Sequence, residues 1–209
     1  MIPTFTTIGL ICYDITSTQT STKKLPGGAV YFAALAASIV TQPIGLVTEV
    51  GNDFNLSVFE QHQVLIEGIK VLPDKLTDTA IINYPNSNDL TTRTITTNFD
   101  ISLNLQPQDI PTHFLSSQII HIGTMPPLVQ LRFLKFLKSH SNAQISIDTD
   151  SLFLDNPEYK QTTINNLLQA DIIFLNRKEQ QALDLNQFIT QELILKQDQK
   201  TVDHIADET

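Results

Sequence analysis

Strand-like and helix-like segments alternate along the chain after Leu105, and this alternation constrains the fold more than any other feature of the sequence. Short apolar, β-branched runs predict strands, and apolar residues at helical spacing predict helices. The predicted strands are 119–123, 144–148, 172–175 and 192–196, and the predicted helices are 128–140, 159–169 and 177–188. Repeated strand–helix–strand units predict an α/β fold, a three-layer α/β/α sandwich around a mostly parallel sheet.

The first half of the chain contains two segments of a different character. Residues 15–24 are polar and rich in threonine, and residues 77–98 hold two strand-like runs around the turn cluster 85–89. Polar strands of this kind are typical of an exposed sheet, so these two segments predict a small β lid. Between them, residues 53–66 predict a helix. We therefore expect one α/β domain over 1–197.

The last residues, 198–209, are polar, acidic and without a pattern, which predicts a frayed tail.

Composition and charge exclude several classes of function. The chain has 13 Lys and Arg against 22 Asp and Glu, a net charge of −9, which argues against binding nucleic acid or an anionic membrane. Its longest apolar run, 29–37, is too short to span a bilayer, and Met1–Thr4 lacks the basic start of a signal peptide. The single Cys12 fits a reducing compartment. We expect a cytoplasmic protein.

Asp14 and the pair Gly27–Gly28 are the first candidates for a binding site. Asp14 follows the first predicted strand, 6–12, and open parallel sheets bind ligands at the carboxyl ends of their strands. Gly27 and Gly28 precede the predicted helix 29–40, where glycine permits close approach to backbone N–H donors. The alternatives are a carboxylate that caps a turn and a plain Pro-Gly-Gly turn. Both the G-x-G-x-x-G and the G-x-x-x-x-G-K-[ST] motifs are absent, which disfavours Rossmann oxidoreductases and Walker-type nucleotidases.

A second group of candidates lies at the ends of later strands. Asn176 and Glu179 follow the strand 172–175, where an amide and a carboxylate could order a hydrated Mg²⁺ beside phosphates. The alternative is a helix N-cap with a capping-box glutamate, which has the same spacing. Asp148 and Asp150 end another strand and could face the cleft or cap a loop. The five histidines show no metal-ligand spacing, so we predict no metal ligands and no catalytic residue from these patterns.

Taken in order, these segments resemble the ribokinase-like, or phosphofructokinase-B type, carbohydrate kinases. The resemblance runs from about Thr7 to Lys196, and the order of its parts is more specific than any single motif. Its parts are the strand ending in Asp14, PGGAVYFAALAASIV (26–40), IGLVTEVGNDF (44–54), the flap with Arg93, SSQIIHIGTM (116–125), ISIDTD (145–150) and ADIIFLNRKEQQAL (170–183).

The resemblance implies phosphorylation of a sugar or nucleoside hydroxyl with ATP and Mg²⁺, under a β flap that acts as a lid. Carried over to this sequence, Asp14 would hold sugar hydroxyls, Gly27 and Gly28 would line the sugar site, and Arg93 on the lid would be a further substrate-binding residue. Asn176 and Glu179 match the N-x-x-E motif that organises Mg²⁺ and phosphate.

The sequence departs from the family pattern at three places. Phe32 stands where many members have a sugar-binding Asn. The G-A-G-D segment with the catalytic Asp is absent, and no Gly follows Gly123. The family's glycine-containing nucleotide loop aligns with 196–201, where Asp198 replaces one glycine. These departures imply a C-terminally truncated member, inactive by itself.

The alternative is a non-catalytic sugar-binding or regulatory module derived from such a kinase. A chain that ends in this way is expected to leave an apolar sheet edge at Leu193–Leu195, which a homodimer or another chain could cover.

Overall fold

The computed structural model describes residues 1–85, 93–100, 104–184 and 191–196, and the backbone of 202–205. In chain order the strands are β1 (Phe5–Ile8), β2 (Cys12–Ser17), β3 (Thr22–Gly27), β4 (Ile44–Gly51), β5 (Val64–Leu65), β6 (Ile69–Leu72), β7 (Thr79–Asn83), β8 (Thr94–Asn98), β9 (Ile119–Ile122), β10 (Gln144–Asp148), β11 (Ile172–Asn176), β12 (Glu192–Lys196) and β13 (Val202–Ile205). The α-helices are α1 (Ala29–Val40), α2 (Ser57–Gln61), α3 (Pro127–His140), α4 (Ser151–Asp155), α5 (Pro157–Leu167) and α6 (Arg177–Ala182). Two short 3-10 helices, Pro107–Asp109 and Thr112–Ser116, precede β9.

Nine strands of the described residues form the main sheet. Its order is β13-β12-β11-β10-β9-β1-β4-β5, and β6 also pairs with β4. Every pair is parallel except β12–β13. The connections through α3, α5 and α6 are the crossovers that parallel neighbours require. The predicted α/β class is therefore confirmed.

Helices cover the two faces of this sheet unequally. On one face, α3, α5 and α6 pack on alternate strand residues, and the cluster includes Ile120, Ile147, Phe133 and Leu137. On the other face, α1 packs over β1 and β4 through Val30 and Ala34, together with residues of α2 and β5. Strand side chains alternate between faces, so each helical layer takes every second residue. The layer around α1 covers fewer strands.

The two lid segments and their flanking residues form a separate four-stranded sheet of order β3-β2-β7-β8. The strand β2 pairs antiparallel with β3 and parallel with β7, and β7 pairs antiparallel with β8. All of β8 is exposed. The predicted turn 85–89 lies outside the described residues after Pro85. Asp14 lies within β2 of this small sheet, and not, as expected, directly after the first strand of the main sheet.

Three sequence-based expectations about the main domain are wrong. The interpretation of 198–209 as a tail fails for Val202–Ile205, which pair antiparallel with β12. Because β13 occupies that side of β12, the expected open edge at Leu193–Leu195 is already paired. The predicted helix 53–66 reduces to α2, and Val64–Leu65 pair with β4 instead. A positive φ of 54° at Gln63 ends the helical path before that pairing.

Candidate functional site

Asp14 and Gly27 are in direct contact at the base of the small sheet. Their strands run antiparallel, with Cys12 opposite Gly27 and Asp14 opposite Leu25. The Asp14 carboxylate lies against the Gly27 Cα, in the space that a Cβ at position 27 would occupy. Only glycine leaves room for the carboxylate at this position. The structure thus brings two of the sequence candidates together.

The Asp14 carboxylate has most of its hydrogen-bonding capacity unused. It accepts one weak bond, from the Cys12 thiol at 3.4 Å, and it forms no ion pair with any described residue. Burial raises its pKa above the ordinary value. Burial, followed by the nearby Asp14 charge, also raises the pKa of Cys12. A half-buried carboxylate with open acceptor sites is suited to receive hydroxyl donors from a ligand.

Gly28 joins this pair to the start of α1. Its φ of 95° is a conformation that side-chain-bearing residues rarely adopt, and a Cβ there would collide with the Leu10 carbonyl oxygen. Gly28 is the N-cap of α1, and no side chain caps the helix. The backbone N–H groups of the first turn therefore remain available next to the Asp14–Gly27 contact, with the partial positive charge of a helix N-terminus.

A second set of contacts ties the small sheet to the main domain, and the sequence analysis missed it. The Asp53 carboxylate accepts hydrogen bonds from the Thr77 backbone N–H and hydroxyl, both at 2.7 Å. Lys24 lies 3.5 Å from Asp53 and 3.9 Å from the centre of the Tyr13 ring. The Tyr13 hydroxyl donates to the Asp53 carbonyl oxygen at 2.9 Å. Asp53 and Thr77 are 24 residues apart, so no local pattern in the sequence indicates their contact.

Asn176 and Glu179 form a reciprocal capping box at the end of β11. The Asn176 side chain accepts from the Glu179 N–H at 2.9 Å, and Glu179 accepts from the Asn176 backbone N–H at 2.8 Å and from its amide Nδ2 at 2.5 Å. Glu179 is 1% exposed, and burial raises its pKa to about 7. Both carboxylate oxygens are occupied. The contacts of Asn176 and Glu179 are therefore those of the helix N-cap with a capping-box glutamate, which the sequence analysis gave as the alternative to a Mg²⁺ site.

An ion pair between the ends of β12 and β10, which lie on either side of β11, is found beside this box. Lys196, the last residue of β12, contacts Asp148, the last residue of β10, at 2.5 Å. Asp150 caps α4 by accepting from the Leu152 N–H at 2.8 Å. The charges of Lys196 and Asp148 both act on Glu179, so the groups form one electrostatic cluster. Forty-eight residues separate the ion-pair partners, and no local pattern predicts the pair.

Two further residues named from the sequence are exposed. Arg93 comes directly before β8, and β7 separates that strand from β2, which carries Asp14. Phe32 lies in the first turn of α1 with its ring edge-on to Tyr31 at 5.2 Å. The part of the chain that the structure describes brings neither side chain into hydrogen-bonding contact with Asp14.

The described side chains do not by themselves form a metal site. They include no group of three or more His, Cys, Asp or Glu placed to hold a metal ion. Each Glu179 oxygen accepts one hydrogen bond from Asn176, and Asp148 Oδ1 accepts from Lys196 and from the Thr149 N–H. Most of the positions aligned with a nucleotide loop, 197–201, lie outside the described residues. No described helix has the length and apolar character needed to cross a bilayer.

Solved structures with the same arrangement are sugar kinases. An uncharacterised sugar kinase from Pyrococcus horikoshii is 18% identical with a TM-score of 0.76, over 98% of this chain and 77% of that chain. A putative ribokinase II from E. coli, in complex with ATP and Mg²⁺, is 20% identical with a TM-score of 0.76, over 100% and 77%. A fructokinase from Halothermothrix orenii is 14% identical with a TM-score of 0.76, over 98% and 82%. The fold is that of the ribokinase-like sugar kinases.

Sequence comparison gives the family within this class. The pfkB family of carbohydrate kinases matches residues 5–208, and the chain belongs to that family. The cytidine kinase of Thermococcus kodakarensis is 24% identical over 164 residues, which cover 74% of this chain and 54% of that protein. The chain thus spans about half the length of this curated relative. The resemblance identified from the sequence motifs is confirmed at the level of the family.

Proposed function

We propose that this protein phosphorylates a hydroxyl group of a sugar or nucleoside with ATP, and that these 209 residues bind the hydroxyl-bearing substrate. The observation that carries the proposal is the Asp14 carboxylate, held against Gly27 beside the uncapped start of α1. A carboxylate acceptor next to backbone N–H donors matches a polyhydroxy ligand, which both donates and accepts. Family membership supports the reaction class.

In this proposal the small sheet is a lid over the substrate. Asp14 and Gly27 lie at its base, Arg93 lies on its outermost strand, and Lys24 and Tyr13 hold it to the loop at Asp53. The substrate would therefore lie between β2, β3 and the first turn of α1. The buried free thiol of Cys12 is consistent with a cytoplasmic protein.

ATP and Mg²⁺ are the cofactors that the family implies, and a structural relative was solved with both. In this chain Asn176 and Glu179 bond to each other, so we assign them to shaping the loop after β11 and not to holding the metal. The described side chains include no group of three or more His, Cys, Asp or Glu placed to hold Mg²⁺.

We further propose that the 209-residue polypeptide by itself has no kinase turnover. Its sequence contains no G-A-G-D segment, no Gly after Gly123, and Asp198 where phosphates would approach. Phosphoryl transfer depends on positioning and on charge stabilisation, and loss of the general base alone costs about a hundredfold to ten-thousandfold. We expect a coupled ATPase assay with a panel of sugars and nucleosides to stay at background. Turnover within about tenfold of ordinary kinases, roughly 1–100 per second, would contradict this.

The same sequence features favour a second candidate function, a non-catalytic sugar-binding or regulatory module. Both candidates require ligand binding at Asp14, and they differ in whether a phosphorylated product forms. A binding assay therefore tests the site, and the turnover assay separates the two functions.

Calorimetric titration of the purified chain with sugars and nucleosides tests the site. We expect at least one compound to bind, and Asp14→Asn to weaken it about tenfold or more, because hydrogen bonds to charged groups contribute about 1.5–3 kcal/mol. Asp74→Asn is the matched control, since Asp74 is an exposed acid that forms no ion pair with a described residue. Equal affinity in Asp14→Asn and the parent chain would remove Asp14 from the site.

A further inference from the structure

An aromatic ring is exposed at the start of α1, next to the position proposed for the substrate. Phe32 is 56% exposed, and its N–H donates to the Gly28 carbonyl oxygen at 3.5 Å, so it lies one helical turn after Gly28. Side chains of a helix lean toward its N-terminus, so the Phe32 ring leans over the turn that begins at Gly28. Gly28 has no side chain to separate the ring from the backbone there.

A second exposed apolar side chain lies beside Asp14 on the lid. Leu25 of β3 is directly opposite Asp14 of β2 and is 55% exposed. Residues that are directly opposite in an antiparallel pair share a face, so Leu25 and Asp14 lie on the same face of the small sheet. Ala80 of β7 is in register with Asp14 on its other side. The carboxylate therefore has an apolar neighbour on each side in its row.

The next row of the same face is also partly apolar. Two residues further along each strand, this row consists of Thr16, Lys23, Ile82 and Ile95. Side chains alternate between the two faces of a strand, so the row lies on the face that carries Asp14. Ile95 in this row is 52% exposed. The face thus combines a few polar groups with exposed apolar ones.

Such a surface fits a ligand that carries hydroxyls at one end and a flat apolar group at the other. A free sugar has hydroxyls around most of its ring, and those that face Leu25 or Phe32 lose water without gaining a partner. A nucleoside has hydroxyls on its ribose and an aromatic base in place of one of them. Its ribose hydroxyls can donate to Asp14 while its base stacks on an exposed aromatic ring.

We propose that the substrate is a nucleoside, and that Phe32 selects it over a free sugar by stacking on the base. This inference rests on the proposed function, since it uses the same site at Asp14, and it narrows the class of substrate given there. Every base has a π face, so stacking selects nucleosides as a class and does not distinguish one base from another.

Calorimetric titration of the purified chain with two kinds of ligand tests the proposal. The first kind is adenosine, guanosine, cytidine and uridine, and the second is methyl β-D-ribofuranoside, which has the same sugar without a base. We expect at least one nucleoside to bind about tenfold or more tightly than the methyl riboside, because base–aromatic stacking contributes about 1–3 kcal/mol per base.

Substitutions at Phe32 separate stacking from the rest of the site. We expect Phe32→Ala to weaken nucleoside binding about tenfold and to change methyl riboside binding less than about twofold, while Phe32→Tyr, which keeps the ring, retains nucleoside binding. Ile39→Ala is the matched control, because Ile39 is 83% exposed on the same helix, about two turns farther from Gly28. We expect it to leave both affinities unchanged.

Three outcomes would overturn the proposal. If the methyl riboside or a free sugar binds as tightly as the best nucleoside, and Asp14→Asn weakens it, the proposed function stands and the substrate is a sugar. If Phe32→Ala and Ile39→Ala have the same effect on nucleoside binding, Phe32 does not select the base. If no sugar and no nucleoside binds, the proposed function fails as well.

Discussion

Two clusters of polar residues, one at the start of α1 and one at the start of α6, use the same chemical groups in opposite ways. Asp14 lies beside the N-terminus of α1, has no ion pair with a described residue, and leaves that helix without a side-chain cap. Glu179 lies beside the N-terminus of α6 and accepts two hydrogen bonds from Asn176. The first cluster is open, in the sense that its carboxylate has unused acceptor sites. The second is closed, because both of its carboxylate oxygens already accept hydrogen bonds from Asn176.

The difference shows which cluster retains capacity for a ligand. An acceptor that already receives its hydrogen bonds gains little from a ligand, because each new bond replaces an existing one. An acceptor with open lone pairs beside free N–H donors can bond a ligand in place of water, and no hydrogen bond within the protein has to break. The Asp14 cluster is therefore the stronger binding candidate, and the Glu179 cluster is first of all a structural element.

The largest expected effect tests whether the open cluster depends on its glycine backbone. We expect Gly28→Ala to lower the free energy of unfolding by about 3 kcal/mol, because φ is 95° there and the new Cβ meets the Leu10 carbonyl. Urea denaturation measures the change. Ala36→Gly, on the exposed side of the same helix, is the control and should cost about 1 kcal/mol. Equal losses in the two variants would show that Gly28 is not required for its conformation.

The next effect tests whether the second cluster is closed. We expect Glu179→Ala to destabilise the chain by about 2 kcal/mol, because two Asn176 donors lose a buried acceptor. Glu158→Ala is the matched control, since Glu158 is an exposed acid in the first turn of α5. We expect it to cost about 0.5 kcal/mol or less. If the two substitutions cost the same in thermal unfolding, the capping box contributes nothing specific to stability.

The fold could be predicted from the alternation of strands and helices. The strands of the main sheet are buried on both faces, so they appear in the sequence as continuous apolar runs. Predicted strands 144–148 and 192–196 coincide with β10 and β12. The sequence could not show β13, a four-residue strand whose existence depends on pairing with β12. Nor could it show the end of α2, where pairing of Val64 with β4 overrides the apolar spacing of 53–66.

The contacts of the candidate sites also divide into local ones, which the sequence indicates, and distant ones, which it does not. The spacing of Asn176 and Glu179 indicated their reciprocal bonds as the alternative to a Mg²⁺ site, since a capping box is local in sequence. The ion pair of Lys196 with Asp148 depends on which strands lie near each other, and the link of Asp53 to Thr77 depends on a loop 24 residues away. Contacts of this kind follow from topology, and one sequence alone does not contain a signal for them.

The last effect concerns the protonation of Glu179 in the closed cluster. Burial raises its pKa from an ordinary 4.5 to about 7 in the folded chain, although the Asn176 N–H and the Lys196 charge favour the carboxylate. The folded state therefore holds this proton more tightly than the unfolded state does. The stabilisation is complete below pH 4.5 and is lost as the pH rises from 4.5 to about 7.

Glu179→Gln removes this titration and leaves the other carboxylates in place, so the difference between parent and variant isolates one group. We expect the parent to lose stability relative to Glu179→Gln across that window, by at most about 1.4 kcal/mol per pH unit, and the difference to be constant above pH 7. Urea denaturation at half-unit intervals from pH 4 to about 8 measures it. A difference that grows in favour of the parent as the pH rises would mean that Lys196 and Asn176 stabilise the carboxylate more than burial disfavours it. In that case the ionised Glu179 carboxylate would be stabilised by its charged and hydrogen-bonding neighbours. The two clusters would then differ in which groups surround the carboxylate, and not in how many of its acceptor sites are occupied.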